Sequence, residues 1–220
     1  MDVPGAENEF FTVGVYECFG SAALIFAIIM SGGHFFAGPF TLMIHIIVAG
    51  PISGGHANSC LSLAVFIANR KYERNLKMLV NMIAHQIIGA VLGTMAAFAC
   101  LRPRNDETDL IPQGWLPLLC PVGLSKEAVP IAGCDPNFDR DISSWLYQVI
   151  TTFVFIFVCM VVIVPKLSPT ECGPIMKTFL VIANLIGSIR IARNIGGACF
   201  NPLIALALQI LANVAIADPV

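Results

Sequence analysis

From Cys18 to Asn69 the chain contains no Asp, Glu, Lys or Arg. A soluble domain averages roughly a quarter charged residues, so a stretch of this length has lipid rather than water as its solvent. Three further charge-free runs follow, Met78–Leu101, Ile142–Pro165 and Asn194–Ala217. Each is long enough for one span at about 20 residues per helix. The runs are continuously apolar rather than alternating. In lipid every backbone group needs an internal partner, which leaves helices or a closed barrel, and the pattern favours helices. Composition agrees, with 57% hydrophobic and 12% charged residues and a mean hydropathy of +0.81. The chain reads as an all-α polytopic membrane protein. A net charge of −2 says little about partners, but no basic cluster resembles a nucleic-acid surface. Asp2, Glu7 and Glu9 stand where a cleaved signal peptide would carry Lys or Arg.

In chain order, Phe11–Met30 reads as the first span and Ala37–Ala49 as the second, ending at Gly50-Pro51. A short apolar helix to Ala68 is too short to cross and is expected to be re-entrant. Arg70, Lys71, Arg74 and Lys77, opposed only by Glu73, put the next turn on the cytoplasmic or equivalent cis face. Leu76–Cys100 is the third span, and the proline-rich segment 101–141 becomes a connecting loop on the trans side. Ile142–Val164 and Ile175–Ile189 are two more spans, and a second short helix runs from Pro202 to about Leu211. This gives about five full spans in a single domain over 1–220. A first repeat covers 11–100 and a second, incomplete repeat 142–213, in which the third span of the first repeat has no counterpart.

Both short helices follow the same kind of break. Gly54-Gly55-His56-Ala57-Asn58-Ser59-Cys60 is echoed by Gly196-Gly197-Ala198-Cys199-Phe200-Asn201-Pro202. Paired interruptions of this kind in two hydrophobic halves point to a transport path. An odd number of full spans separates the halves, so they are expected to be inverted across the membrane. The short helices would enter from opposite faces and meet at Asn58 and Asn201. Each Asn is a natural N-cap whose amide can also donate into a lumen. Two helix N-termini facing one passage favour neutral or electronegative groups and repel cations.

The sequence resembles the aquaporin, or major intrinsic protein, family over nearly its whole length. Glu17-Cys18-Phe19-Gly20-Ser21 is similar to the first-helix Glu-x-x-Gly-Thr pattern, and Gly54 to Asn58 to the approach to the first Asn-Pro-Ala box. His85-Gln86-Ile87-Ile88-Gly89-Ala90 is similar to a third-helix motif, and Gly197 to Pro202 to the approach to the second box. The resemblance implies an aquaporin-like inverted repeat with two re-entrant half-helices. It implies a pore lined by Asn58, Asn201 and His56, with His56 as a packed loop brace rather than a gate. By counting back from the asparagines, the filter positions fall at Gly38, Ile189, Ala198 and Ile204. Glu17 would brace the loop around Gly54–His56, with Gln148 as its uncharged counterpart in the second half. The first box is Asn58-Ser59-Cys60, the second Asn201-Pro202-Leu203, and the usual filter Arg is replaced by Ile204. The constriction would therefore be apolar. The family's last helix has no counterpart in this sequence.

Two functions follow from these residues. One is passive transport of water or small neutral solutes through a degenerate filter. The other is a non-conducting subunit of a larger membrane assembly built on the same fold. Expected partners are membrane lipid, other membrane subunits or copies of itself (a tetramer in the family), and a small neutral solute. No arrangement of nucleophile and base suggests an enzyme, and no cofactor or metal site is expected. His34, His45 and His85 share no ligand spacing. Arg190 and Arg193 are interfacial anchors, partner contacts or a replacement for the missing filter Arg. Cys120 and Cys134 either pair in an oxidising compartment or remain free thiols.

Overall fold

In the computed structural model the described residues are 6–31, 34–70, 72–101, 138–164, 172–192, 199–207 and 210. They form helices α1 (Ala6–Met30), α2 (Ala37–Ser53), α3 (Ser59–Asn69), α4 (Tyr72–Leu101), α5 (Phe138–Ile163) and α6 (Pro174–Ala192). A seventh helical segment, α7, covers 202–207. There is no strand among the described residues. The connecting loop between α4 and α5, with Cys120 and Cys134, lies outside them, as do Arg193 and Ala198.

Four helices are long and apolar enough to cross a membrane, with spans at Glu9–Met30, Asn75–Cys100, Trp145–Ile163 and Pro174–Ile191. The expected second span is α2, with 17 residues. At 1.5 Å per residue it is about 26 Å long, a little under the ~30 Å hydrocarbon thickness. It does not stop at Gly50-Pro51. Pro51 lies inside the helix, which ends at a left-handed Gly54 whose N–H bonds the Gly50 carbonyl. Pro51 lacks the N–H that would bond the Ile47 carbonyl and its ring crowds that carbonyl, yet the helix runs two residues further. Pro174 opens α6 and Pro202 opens α7. There the missing N–H would have had no intrahelical acceptor anyway.

The closest helix pair is α1 with α4. A side chain on Gly89 would strike the carbonyl of Cys18, and one on Gly93 the carbonyl of Ala22. In lipid, where apolar contact with tails is as good as with a neighbour, small residues let two helices approach this closely.

Both short helices pack on spans from the other half of the chain. Leu61 of α3 joins Phe155, Cys159 and Met160 of α5 in one buried cluster. Leu203 and Ala207 of α7 join Ile25 and Ile29 of α1 and Ala90 and Ala97 of α4 in another. A third cluster, with Leu24, Leu42, Ala57 and Ile182, ties α1, α2 and α6 around the first break.

Candidate functional site

The first break is set by backbone geometry that few residues tolerate. Gly54 and Gly55 have φ of 91° and 63°, and Ala57 is also left-handed at φ 41°. A left-handed alanine stores strain and persists only where its neighbours fix it. Here both of its backbone polar groups are held: its N–H donates to Glu17 Oε2 at 2.8 Å, and its carbonyl accepts from Asn201 Nδ2 at 2.7 Å.

Glu17 is fully buried. An intramembrane carboxylate is costly unless satisfied, and this one receives two donors on each oxygen. Oε1 accepts from Ser53 Oγ at 2.6 Å and from the His56 N–H at 3.0 Å. Oε2 accepts from the Ala57 N–H and from Gln86 Nε2 at 2.7 Å. Gln86 also donates to Ser62 Oγ at 3.0 Å, and that hydroxyl donates to the Asn58 carbonyl at 3.2 Å. His56 reaches Ser62 Oγ through Nδ1 at 3.1 Å. His45 brings Nε2 to 3.9 Å from Glu17 Oε1, its ring seated where a side chain on Gly20 would otherwise lie.

Asn58 caps α3. Its Oδ1 accepts from the N–H groups of Cys60 and Leu61 at 2.9 and 3.4 Å. Its Nδ2 donates to the Phe200 carbonyl at 3.1 Å. Asn201 repeats the device on α7, with Oδ1 accepting from the Leu203 N–H at 3.1 Å. Each amide has two hydrogens and gives one to the opposite loop, so one donor per asparagine remains for a ligand.

Beside the asparagines lies a cavity of ≈ 100 Å³. Gly38, Ile189, Ile204, Asn58 and Asn201 are all in its wall, together with Phe35, Phe155 and Phe200. Residues expected at the site from four separate segments are thus brought to one cavity. His56 is not in that wall; it is buried behind the loop against Ser62. Ala198 lies outside the described residues. Gln148 is half-buried on α5, and the loop it was expected to brace is also outside them. No group of three potential metal ligands occurs among the described residues.

Sequence reasoning missed Gln86 and Ser53 as partners of Glu17, Ser62 as the link from Gln86 to the Asn58 carbonyl, and the aromatic part of the cavity wall. Gln86 had a signal: it is one of few amide side chains in a charge-free run. Phe35 had none, because one phenylalanine among many apolar residues carries no local mark.

These features define an integral, multi-pass membrane protein with an aquaporin-like fold. The chain matches the X-ray structure of the aquaglyceroporin from Plasmodium falciparum with a TM-score of 0.65 at 17% sequence identity, covering 94% of this chain and 82% of that one. At that identity the likeness is one of fold. No protein-family model and no curated protein matches the sequence.

Proposed function

We propose that this protein is a passive membrane channel for water or small neutral solutes. The observation that carries the reading is the cavity at Asn58 and Asn201, two helix-capping amides with one free donor each. Its volume of ≈ 100 Å³ has room for several water molecules. Donors at one place and apolar side chains elsewhere suit a solute that carries acceptor oxygens and no charge. Among the described residues the wall lacks the carboxylates that an ion-coupled transporter would use, and it lacks a nucleophile–base pair. In this reading α3 and α7 are re-entrant half-helices of an inverted repeat, Gly38, Ile189, Ala198 and Ile204 form the filter, and lipid surrounds the spans. The aquaglyceroporin neighbour extends the solute class to small polyols.

The test is light-scattering of proteoliposomes under an osmotic step, with water and then with a polyol. Swelling faster than in protein-free vesicles, and lost in Asn58→Asp, supports the channel. Swelling equal to protein-free vesicles removes it.

One observation favours a second reading, a non-conducting subunit of a larger membrane assembly. Phe155 and Phe200 both line the cavity with ring centroids 5.5 Å apart, and two stacked rings narrow any passage there. Copurification of stoichiometric partner subunits, with no flux from the isolated chain, would select this alternative.

A further inference from the structure

Among the described residues the wall of the cavity contains no Asp, Glu, Lys or Arg, yet a cation stands against one of the wall residues. Arg190 is exposed in the last turn of α6. Its guanidinium carbon lies 5.1 Å from the centre of the Phe35 ring, within cation–π range. Phe35 itself lines the cavity. The ring is fixed in turn by Phe36, whose centroid is 4.0 Å away, and by His34, stacked at 5.3 Å. Ile189, adjacent to Arg190 in the chain, lines the same cavity. The cation is therefore held from two sides, through the backbone of one wall residue and over the ring of another.

We infer that Arg190 is the cation-excluding residue of the cavity mouth. Its guanidinium lies over the Phe35 ring, an aromatic contact that an ammonium makes less well. Apolar walls keep the local dielectric low, so a single fixed charge at the rim acts further into the cavity than it would in water. The free amide hydrogens of Asn58 and Asn201 act in the same sense, since both rim and interior favour acceptor atoms. The ligands admitted are neutral solutes with oxygen acceptors, or small anions, and cations are turned away. The solute class refines the channel reading and rests on it. The rim charge can be measured without any flux.

Cys199 lies in the cavity wall and serves as a reporter. The intact chain in liposomes is treated with a cationic or an anionic methanethiosulfonate of similar size, and modification of the Cys199 peptide is timed by mass spectrometry. Wild type is expected to favour the anionic reagent. Arg190→Gln is expected to move the rate ratio toward the cationic reagent by about fivefold. Arg190→Lys should stay close to wild type, and Phe35→Leu, which keeps the charge but frees it, should fall between. A ratio in Arg190→Gln within about twofold of wild type overturns the inference. If Cys199 reacts with neither reagent, the ratio is read at Ile204→Cys in the same wall, and a ratio there that Arg190→Gln leaves within about twofold overturns the inference. If Arg190→Gln does not insert, a Phe35→Leu ratio equal to wild type is the overturning result. Solute flux in the same vesicles separates the two claims: a shifted ratio with no wild-type flux removes the channel and leaves Arg190 guarding a closed vestibule.

Discussion

Asn58 and Asn201 hold each other's loops. Asn58 Nδ2 donates to the carbonyl of Phe200, the residue before Asn201. Asn201 Nδ2 donates to the carbonyl of Ala57, the residue before Asn58. Each asparagine also caps its own short helix. The pair is therefore a structural clasp as well as two donors beside a cavity.

Breaking the clasp has a calculable cost. Asn201→Ala removes a cap and leaves the Ala57 carbonyl buried without a donor, a loss of about 2–4 kcal/mol. Asn58→Ala should cost a similar amount. Because both act on one joint, the double variant is expected to lose less than the sum. Thermal unfolding in detergent, followed by size-exclusion fluorescence, measures all three.

Glu17→Gln tests the brace. The carboxylate accepts from four donors, and an amide turns one of its two ends into a donor facing donors. At about 1.5–3 kcal/mol per charge-assisted bond, the substitution should abolish folding or reduce stability far more than Gln86→Ala. Equal thermal midpoints for the two variants would refute the assignment.

The α1–α4 contact predicts a sharp contrast between glycines. Gly89→Leu pushes a side chain into the Cys18 carbonyl and should prevent assembly of the two helices. Nothing lies within 4 Å of a Cβ added at Gly187, so Gly187→Ala should be neutral or stabilising by up to about 1 kcal/mol. Yield of monodisperse protein reads out both.

Ile204 lines the cavity beside the two asparagines. Ile204→Ala should widen the passage, raising polyol permeability more than water permeability in the vesicle assay. The expected stability cost lies at or below the low end of the usual 2–5 kcal/mol, because the side chain is only partly buried.

Thiol chemistry separates the two cysteines near the asparagines. Cys199 is in the cavity wall and Cys60 is not among the residues that form it. Solute flux blocked by a membrane-impermeant thiol reagent should recover in Cys199→Ser and remain blocked in Cys60→Ser.

Much of the architecture is written locally. The charge-free run from Cys18 to Asn69 dictates lipid as solvent and helix as backbone. Gly54, Asn58, Pro174 and Pro202 mark helix ends because a left-handed φ, a side-chain cap or a missing N–H acts within one turn. The helices run beyond the expected spans at several places. Helix α4 begins at Tyr72 rather than Leu76, α5 at Phe138 rather than Ile142, and α6 continues to Ala192. Hydropathy marks where lipid ends, and a helix that leaves lipid need not unwind.

The sequence by itself determined the solvent, the helices and the two breaks, because these depend on interactions within a few residues. It also marked Asn58, Asn201 and Glu17 as polar groups that must find partners. Only the tertiary structure decided which partners. The Asn58–Phe200 bond joins residues 142 apart in the chain, Gln86 meets Glu17 across 69, and Arg190 finds Phe35 from the opposite half. A buried polar group demands a bond but does not name its mate. The mate is set by which helices approach, and that depends on the small residues, such as Gly20, Gly89 and Gly93, that allow close packing.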